Sequence, residues 1–467
     1  MGVLLSLLAL IVAAALVLHG TLSSEHNNDD AGAHAGGVGA RVAKRELRRH
    51  TKNLVGPGHR DHGPPFHDRM DGNTGIDLDE VYPAIRAEHD ARFPPDDFER
   101  LRTFASSLRT DEYGLAPQMV NDVPYDVNDC PPIPPKGYPH SWPTVDILQN
   151  WNPNDYLSLA DHTHAIYQGI CRFDAATEYD KALVYRNAEL PFVIRDDPVV
   201  LPTVERWNQP DYLTNMLGHE RLYKTDLSST NQLLFYNNNG AKKSVLEGDW
   251  EAPTREVMMS YPDWLAKANT PNGSELQPDK PHWYFKLDGK SQSRRDSYLF
   301  DELPFFNPTD PKFYMVDPPA DGRGEINCRF GMAGTTAQNH FDASRNFLAV
   351  LGGQRRYILS HPDQCGNLGL HPMGHPSARH SMVDWSNPDL EKFPQFKQAK
   401  SSEVVLQAGD VLYLPTNWFH FIVSLDTSWQ CNARSGVTQE TMGYIRDCGF
   451  GAVAPRPIRE LLLGKKR

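Results

Sequence analysis

The sequence predicts a mainly β fold, closed or double-sheeted, with a few flanking helices. Three observations predict it. Short apolar and aromatic runs recur between Gly, Pro, Asn and Asp clusters, the texture of strands joined by turns. The 37 prolines demand many loops and turns, which disfavours a helical bundle. Only a few helical stretches interrupt the runs, among them DYLTNML and YPDWLAKA. In chain order the predicted strands are LPFVIRD, NQLLFYN, HWYFKL, FYMVD, FLAVLGG, RRYILS, EVVLQ, DVLYLP and FHFIVSL. With 39% hydrophobic and 10% aromatic residues in 467, the chain can bury a real core. Its net charge of −12 lacks the basic footprint of a general nucleic-acid binder, so none is expected as a partner.

Before the β region the texture is different. Residues 1–20 read MGVLLSLLALIVAAALVLHG, apolar or small from Gly2 to Leu18 but for Ser6. A cleaved signal peptide and an uncleaved single-pass type II membrane anchor both fit, and either places the rest in the secretory lumen or outside the cell. Met1-Gly2 with Ser6 also fits N-myristoylation, ranked below insertion because the residues between are apolar. Residues 21–66 are a flexible linker with a short basic helix at Val42 to Lys52. Residues 67–118 form a small helical segment that opens on DRMDGNTGIDLDEV, a degenerate EF-hand-like loop. Asp71, Asn73 and Glu80 take ligand positions of a Ca(2+) loop, but Arg69 and Thr74 occupy the first and sixth positions. The alternative is an Asx-rich turn capping EVYPAIRAEHDARF, the helix that follows. Residues 119–150 are Pro-rich (VPYDVNDCPPIPPKGYPHSWP) and read as a linker and domain boundary. The main β domain spans 151–455, and 456–467 is a basic tail.

The six cysteines contain no C-x-x-C unit, which argues against a structural zinc site. In an oxidising lumen they predict one or two disulfides of unreadable pairing. One N-glycosylation sequon is present, Asn272-Gly273-Ser274.

The chemistry concentrates in NHFDASRNFLAVLGGQRRYILSHPD. His340 and Asp342 stand two apart, so a strand points both to one face. The same spacing at His59/Asp61 lies in a Gly/Pro-rich linker, and at His361/Asp363 it is broken by Pro362. Asn346 to Leu351 reads as a strand, Gly352-Gly353 as a two-residue turn, and Gln354 to Ser360 as the returning strand. Eighty residues beyond His340, His420 opens a strand behind the turns Gly409-Asp410 and Pro415-Thr416-Asn417. Two histidines and a carboxylate can hold one face of an octahedral metal and leave three positions open, the arrangement of non-haem Fe(II) oxygenases. A keto acid fits two of those positions and O2 the third. Arg355 can grip its distal carboxylate bidentately. His371, His375 and His380, in LHPMGHPSARH, are assigned a structural or substrate-facing loop rather than the metal.

In order, LPFVIRDD, RWNQPDYLTNMLG, HWYFKL, NHFDASRNF, GGQRRYILSHP, HPSARHSMVDWSNPDLEKFPQF, LQAGDVLYLPTNWFHFIVSL and CNA cover about residues 155 to 435. This block resembles the JmjC/cupin-like Fe(II)- and 2-oxoglutarate-dependent oxygenases, in the branch of small hydroxylases like the asparaginyl hydroxylase that inhibits the hypoxia factor. The resemblance implies a double-stranded β-helix (jelly roll) with His340, Asp342 and His420 as catalytic iron ligands. It puts Arg355 where the family usually has a lysine for 2-oxoglutarate, and Asn346, Asn432 and Tyr284 around the co-substrate. The family's threonine, three residues before the first histidine, is Ala337 here. Either a bulge restores the hydroxyl of Thr336 or another group takes over. The implied reaction is hydroxylation of a protein side chain. Lysine demethylation is the alternative reaction, and a non-catalytic cupin-like binding module on a membrane stalk the alternative class.

Overall fold

Every predicted run but one contributes a strand, because β-branched and aromatic residues alternate between two buried surfaces. The computed structural model describes residues 78–110, 123–156, 165–218, 221–238, 242–246, 250–270, 276–290, 298–307, 313–317 and 325–450. The N-terminal apolar segment, the linker to residue 66, Asp71, Asn73, the sequon at Asn272 and the basic tail lie outside them. Glu80 falls in the first turn of a helix, its side chain outside the description. The chain divides at Arg69/Met70, and all described residues belong to the second unit.

One sheet consists of β1 (Trp142–Pro143), β5 (Gln232–Leu233), β9 (Thr336–Phe341), β11 (Gln354–Ser360), β12 (Lys400–Gln407) and β14 (Phe419–Ser424), in the order β1-β12-β11-β14-β9-β5. The other runs β2-β3-β13-β10-β15-β8-β7-β4-β6. These are β2 (Arg172–Asp174), β3 (Phe192–Arg195), β4 (Tyr223–Ser228), β6 (Thr254–Met259), β7 (His282–Lys290), β8 (Glu325–Gly331), β10 (Asn346–Gly352), β13 (Val411–Leu414) and β15 (Ser428–Arg434). From β8 to β15 the chain crosses repeatedly from sheet to sheet. The pairs β8·β15, β15·β10, β10·β13 face β9·β14, β14·β11, β11·β12, all antiparallel, which is the winding of a double-stranded β-helix.

The winding corrects one sequence reading. Gly352-Gly353 does not close a hairpin, because β10 pairs with β13 and β15 while β11 pairs with β12 and β14. It is the corner where the chain leaves one sheet for the other. Gly353 sits at φ +67°, and the Trp429 indole occupies the place a Cβ on Gly352 would need. FYMVD is the run that forms no strand. Phe313, Tyr314 and Met315 are buried, but against aromatic rings including Phe347, with the Arg186 guanidinium 4.7 Å over Phe313.

Two cores result. Leu348, Val350, Tyr357, Leu359, Leu412 and Ile422 fill the space between the sheets. Phe285, Phe330, Tyr261 and Trp264 belong to an outer core with the flanking helices. Those helices include α1 (Leu78–Arg92), which runs through Pro83 as the sequence suggested, and the expected helices Tyr212–Leu217 and Tyr261–Ala268. Among the described residues no helix is long and apolar enough to cross a membrane.

The Pro-rich stretch is packed rather than a free linker. Tyr138 and Trp142 are buried in it, β1 pairs with β12, and Cys130 is bonded to Cys171. All six cysteines pair, with Cys328–Cys431 across β8 and β15 and Cys365–Cys448 tying the loop after β11 to the end of helix Met442–Asp447. The count is three, not the one or two expected.

Candidate metal centre

β9 and β14 run antiparallel with His340 directly opposite His420, which brings together histidines eighty residues apart. Ligand atoms of His340, Asp342 and His420 all lie within 4.8 Å of one another. Both rings are held the same way. Nδ1–H of His340 donates to the Gln338 carbonyl at 2.7 Å and that of His420 to the Trp418 carbonyl at 3.1 Å. A carbonyl only accepts, so each Nδ1 carries the proton and each Nε2 presents a lone pair. Burial holds both imidazoles below their ordinary pKa, and hence neutral. Burial pushes the Asp342 carboxyl up, but the surrounding positive charge, Arg434 foremost, outweighs it and keeps it ionised. Two neutral imidazoles and one carboxylate are the donor set a divalent first-row metal takes, so these residues fit Fe(II).

Asp342 is aimed by its neighbours. Nη2 of Arg434 donates to both its oxygens at 2.9 and 2.8 Å, and Asn346 Nδ2 donates to Oδ2 at 2.8 Å. Asn432 Nδ2 in turn donates to Asn346 Oδ1 at 2.8 Å. Asn346 and Asn432, expected beside a co-substrate, thus form a relay that fixes the carboxylate. The sequence reading missed Arg434, yet it stands two residues beyond Asn432 on β15 and pairs with Asn346 across β10. Strand period was the signal that could have found it.

Arg355 lies four residues further along the β14 ladder, opposite Ser424, whereas Leu359 stands opposite His420. That is roughly 13 Å of strand. Its guanidinium is fully buried. Nε donates to Ser428 Oγ at 3.1 Å, Nη1 to Tyr284 Oη at 2.9 Å, and Nη2 to the carbonyls of Arg329 and Ser428 at 2.6 and 3.1 Å. Among the described residues no carboxylate is within 4.0 Å of it. Tyr284, expected beside the co-substrate, bonds Arg355 itself, and in this arrangement the Arg329 and Ser428 carbonyls take Nη2. The Tyr357 hydroxyl lies within reach of the same guanidinium, so Tyr284 and Tyr357 supply the hydroxyls beside it.

Thr336 is corrected as well. The β9–β14 register shifts between His420 and Ile422, so Ala337 pairs with Ile422 and faces the space between the sheets with His340. Thr336 pairs with outer-core Val423, and its hydroxyl donates to the Asn231 carbonyl at 3.2 Å. The bulge aims the methyl of Ala337 inward and restores no hydroxyl.

The other histidines separate. His380 bridges to His340 and stacks on it at 4.7 Å, which places it beside the metal set but outside it. His371 and His375 stack on each other at 4.0 Å, near Trp250. His361 and Asp363 pair near the surface, Nδ1 to Oδ1 3.0 Å, where His361 caps a 3-10 turn. His59 and Asp61 lie outside the described residues.

Residues 178–434, more than half of the chain, match the family described as cupin-like domain. Similar curated proteins include JmjC domain-containing protein D of Dictyostelium discoideum, 39% identical over 22% of this chain and 23% of its own. Lysine-specific demethylase 8 of Xenopus tropicalis is 36% identical over 26% and 27%. tRNA wybutosine-synthesizing protein 5 of Gallus gallus is 36% identical over 21% and 29%. The matches span only about a quarter of these relatives' length.

Proposed function

The chain belongs to the family of cupin-like domains, and on that premise we propose that it is an Fe(II)- and 2-oxoglutarate-dependent oxygenase acting on a protein side chain in the secretory pathway. One observation carries the reading: a buried guanidinium with no carboxylate within 4.0 Å among the described residues, Arg355, faces the same interior as a His-Asp-His set. A buried cation is costly unless an anion meets it, and a short dicarboxylate bound at the metal meets it with its far end. His340, Asp342 and His420 hold the metal. Bound there, Fe(II) and 2-oxoglutarate supply the activation of O2 that oxidises a C–H bond. The protein's part is placement. Arg434 and Asn346 fix Asp342, Arg355 and Tyr284 receive the distal carboxylate, and Ala337, Leu359 and Ile422 keep the space between them apolar.

The secretory location is supported by the disulfides. Three of them, using every cysteine, suit an oxidising compartment. Resemblance to the asparaginyl hydroxylase branch supports hydroxylation of a side chain. The name of the Xenopus relative favours a second reading, lysine demethylation, which the same site serves equally. Succinate release from 2-oxoglutarate by the purified chain with Fe(II) and ascorbate is expected, and its loss in His340→Ala. No release, with wild type and His340→Ala binding metal alike, leaves a non-catalytic binding module. On a trapped peptide, a gain of about 16 Da marks hydroxylation and a loss of about 14 Da demethylation.

A further inference from the structure

At the outer end of the metal set two arginines converge on one carboxylate. Arg434, its side chain 47% exposed, bonds Asp342 through Nη2 alone. Arg379 comes from the loop after β11, which also carries His380. Its Nη1 donates to the Phe341 carbonyl at 3.3 Å, and its guanidinium lies 5.8 Å over the Phe341 ring, one residue from Asp342. The charges that act on Arg379 are Asp342, in its favour, and Arg434, against it. Among the described residues neither guanidinium bonds any carboxylate but Asp342, and Arg379 does not bond even that.

The backbone at Arg379 is itself unusual, with φ +78°, a left-handed conformation an L-residue enters at a cost. Residues held this way collect at ligand sites. Here the conformation carries a long cationic side chain back over β9.

We propose that Arg379 and Arg434 form a receptor for an acidic group of the substrate, an Asp or Glu side chain of a peptide, beside the C–H bond to be oxidised. The inference rests on the oxygenase reading, since a metal ion shares the Asp342 charge and leaves one carboxylate to balance the metal and two guanidiniums. Like charges so placed repel, and an incoming carboxylate relieves both at once through charge-assisted hydrogen bonds. A peptide fits better than RNA. Phosphate backbones call for an extended basic surface, whereas this chain is at −12 overall and the receptor is two residues wide.

The test is binding, independent of turnover. The full chain, loaded with Mn(II) and the inert keto-acid analogue N-oxalylglycine, is passed over an array of dodecapeptides of known random sequence. Retained peptides are expected to be enriched in Asp and Glu. Arg379→Gln is expected to weaken the best acidic peptide about tenfold, and Arg379→Lys to recover part of that. Bound Mn(II), read by electron paramagnetic resonance, stays unchanged in both variants. The receptor is overturned if no peptide is retained, if acidic residues are not enriched, if Arg379→Gln retains the same set, or if a single-stranded RNA dodecamer binds more tightly than any peptide. Absence of Mn(II) binding by wild type, by contrast, overturns the metal reading and the receptor with it.

Discussion

Arg355 and Arg356 are neighbours on β11, both fully buried, and they point to opposite faces. On the outer face Arg356 is fully provided for. Nε meets Glu403 at 2.6 Å, Nη1 meets the Trp151 carbonyl at 2.7 Å, and the guanidinium lies 4.4 Å over the Trp151 ring. On the inner face Arg355 meets hydroxyls and carbonyls, with no carboxylate within 4.0 Å among the described residues; the acid it acts on from further away is Asp426, whose carboxyl burial pushes up to about 7. A buried arginine paired with an acid completes the fold, and one without a close acid is where the proposed co-substrate would find its counter-charge. The difference separates the two faces of the strand.

The sharpest way to break this comparison is to neutralise each arginine in turn. Arg356→Gln strands Glu403 in the core and is expected to cost about 3–5 kcal/mol in denaturant melts. Its KM for 2-oxoglutarate stays near wild type where it is folded. Arg355→Gln breaks no ion pair within 4.0 Å among the described residues, but it leaves the Arg329 and Ser428 carbonyls without that donor and removes a charge that favours the buried Asp426 carboxylate, so stability should fall by about 1–3 kcal/mol, less than in Arg356→Gln. The KM for 2-oxoglutarate should rise about a hundredfold, the worth of a charge-assisted contact of roughly 3 kcal/mol. A large loss of stability in Arg355→Gln with an unchanged KM would reverse the assignment of the two faces. Arg355→Lys keeps the charge and should recover most of the KM.

A third arginine extends the paired class. Arg195 grips Asp410 at 2.7 and 2.9 Å, in the turn before β13. Burial pushes the Asp410 carboxyl up, but Arg195 more than offsets it and brings it down to about 2. A folded pKa below the unfolded one stabilises above pH 4 and is lost as pH falls from about 4 to about 2. The contribution is about 2 kcal/mol, so Asp410→Asn should flatten the stability curve by that much across this window. Smallest of all is Ala337→Thr. A hydroxyl added on the inward face, between the metal set and Arg355, should lower the KM for 2-oxoglutarate about threefold, at a packing cost near 1 kcal/mol.

The features that were legible in the sequence are the local ones. Strand runs announce themselves because burial on alternate sides writes a short period into the chain, and FLAVLGG, RRYILS and FHFIVSL all became strands. His340 and Asp342 were legible because two residues of strand suffice to align them. Gly352-Gly353 was misread because two glycines permit a hairpin or a corner alike, and the choice belongs to the strands on either side. Thr336 failed for a similar reason: one extra residue opposite Phe421 reverses the face of everything before it. The Pro-rich stretch looked like a linker because its partners, Cys171 and β12, are far along the chain.

By itself the sequence determined the winding's raw material and the residue types of the candidate metal set: two histidines and one aspartate, with a basic residue a strand away. Covalent spacing and side-chain chemistry settle that much. Tertiary structure alone decided that Asn346, Asn432 and Arg434 aim Asp342, that every cysteine finds a partner, and that Arg356 pairs with an acid while Arg355, among the described residues, makes no such pair. Those are statements about what lies across a gap from each side chain. A gap closed by strands eighty residues apart is set by sheet register, which no local pattern records.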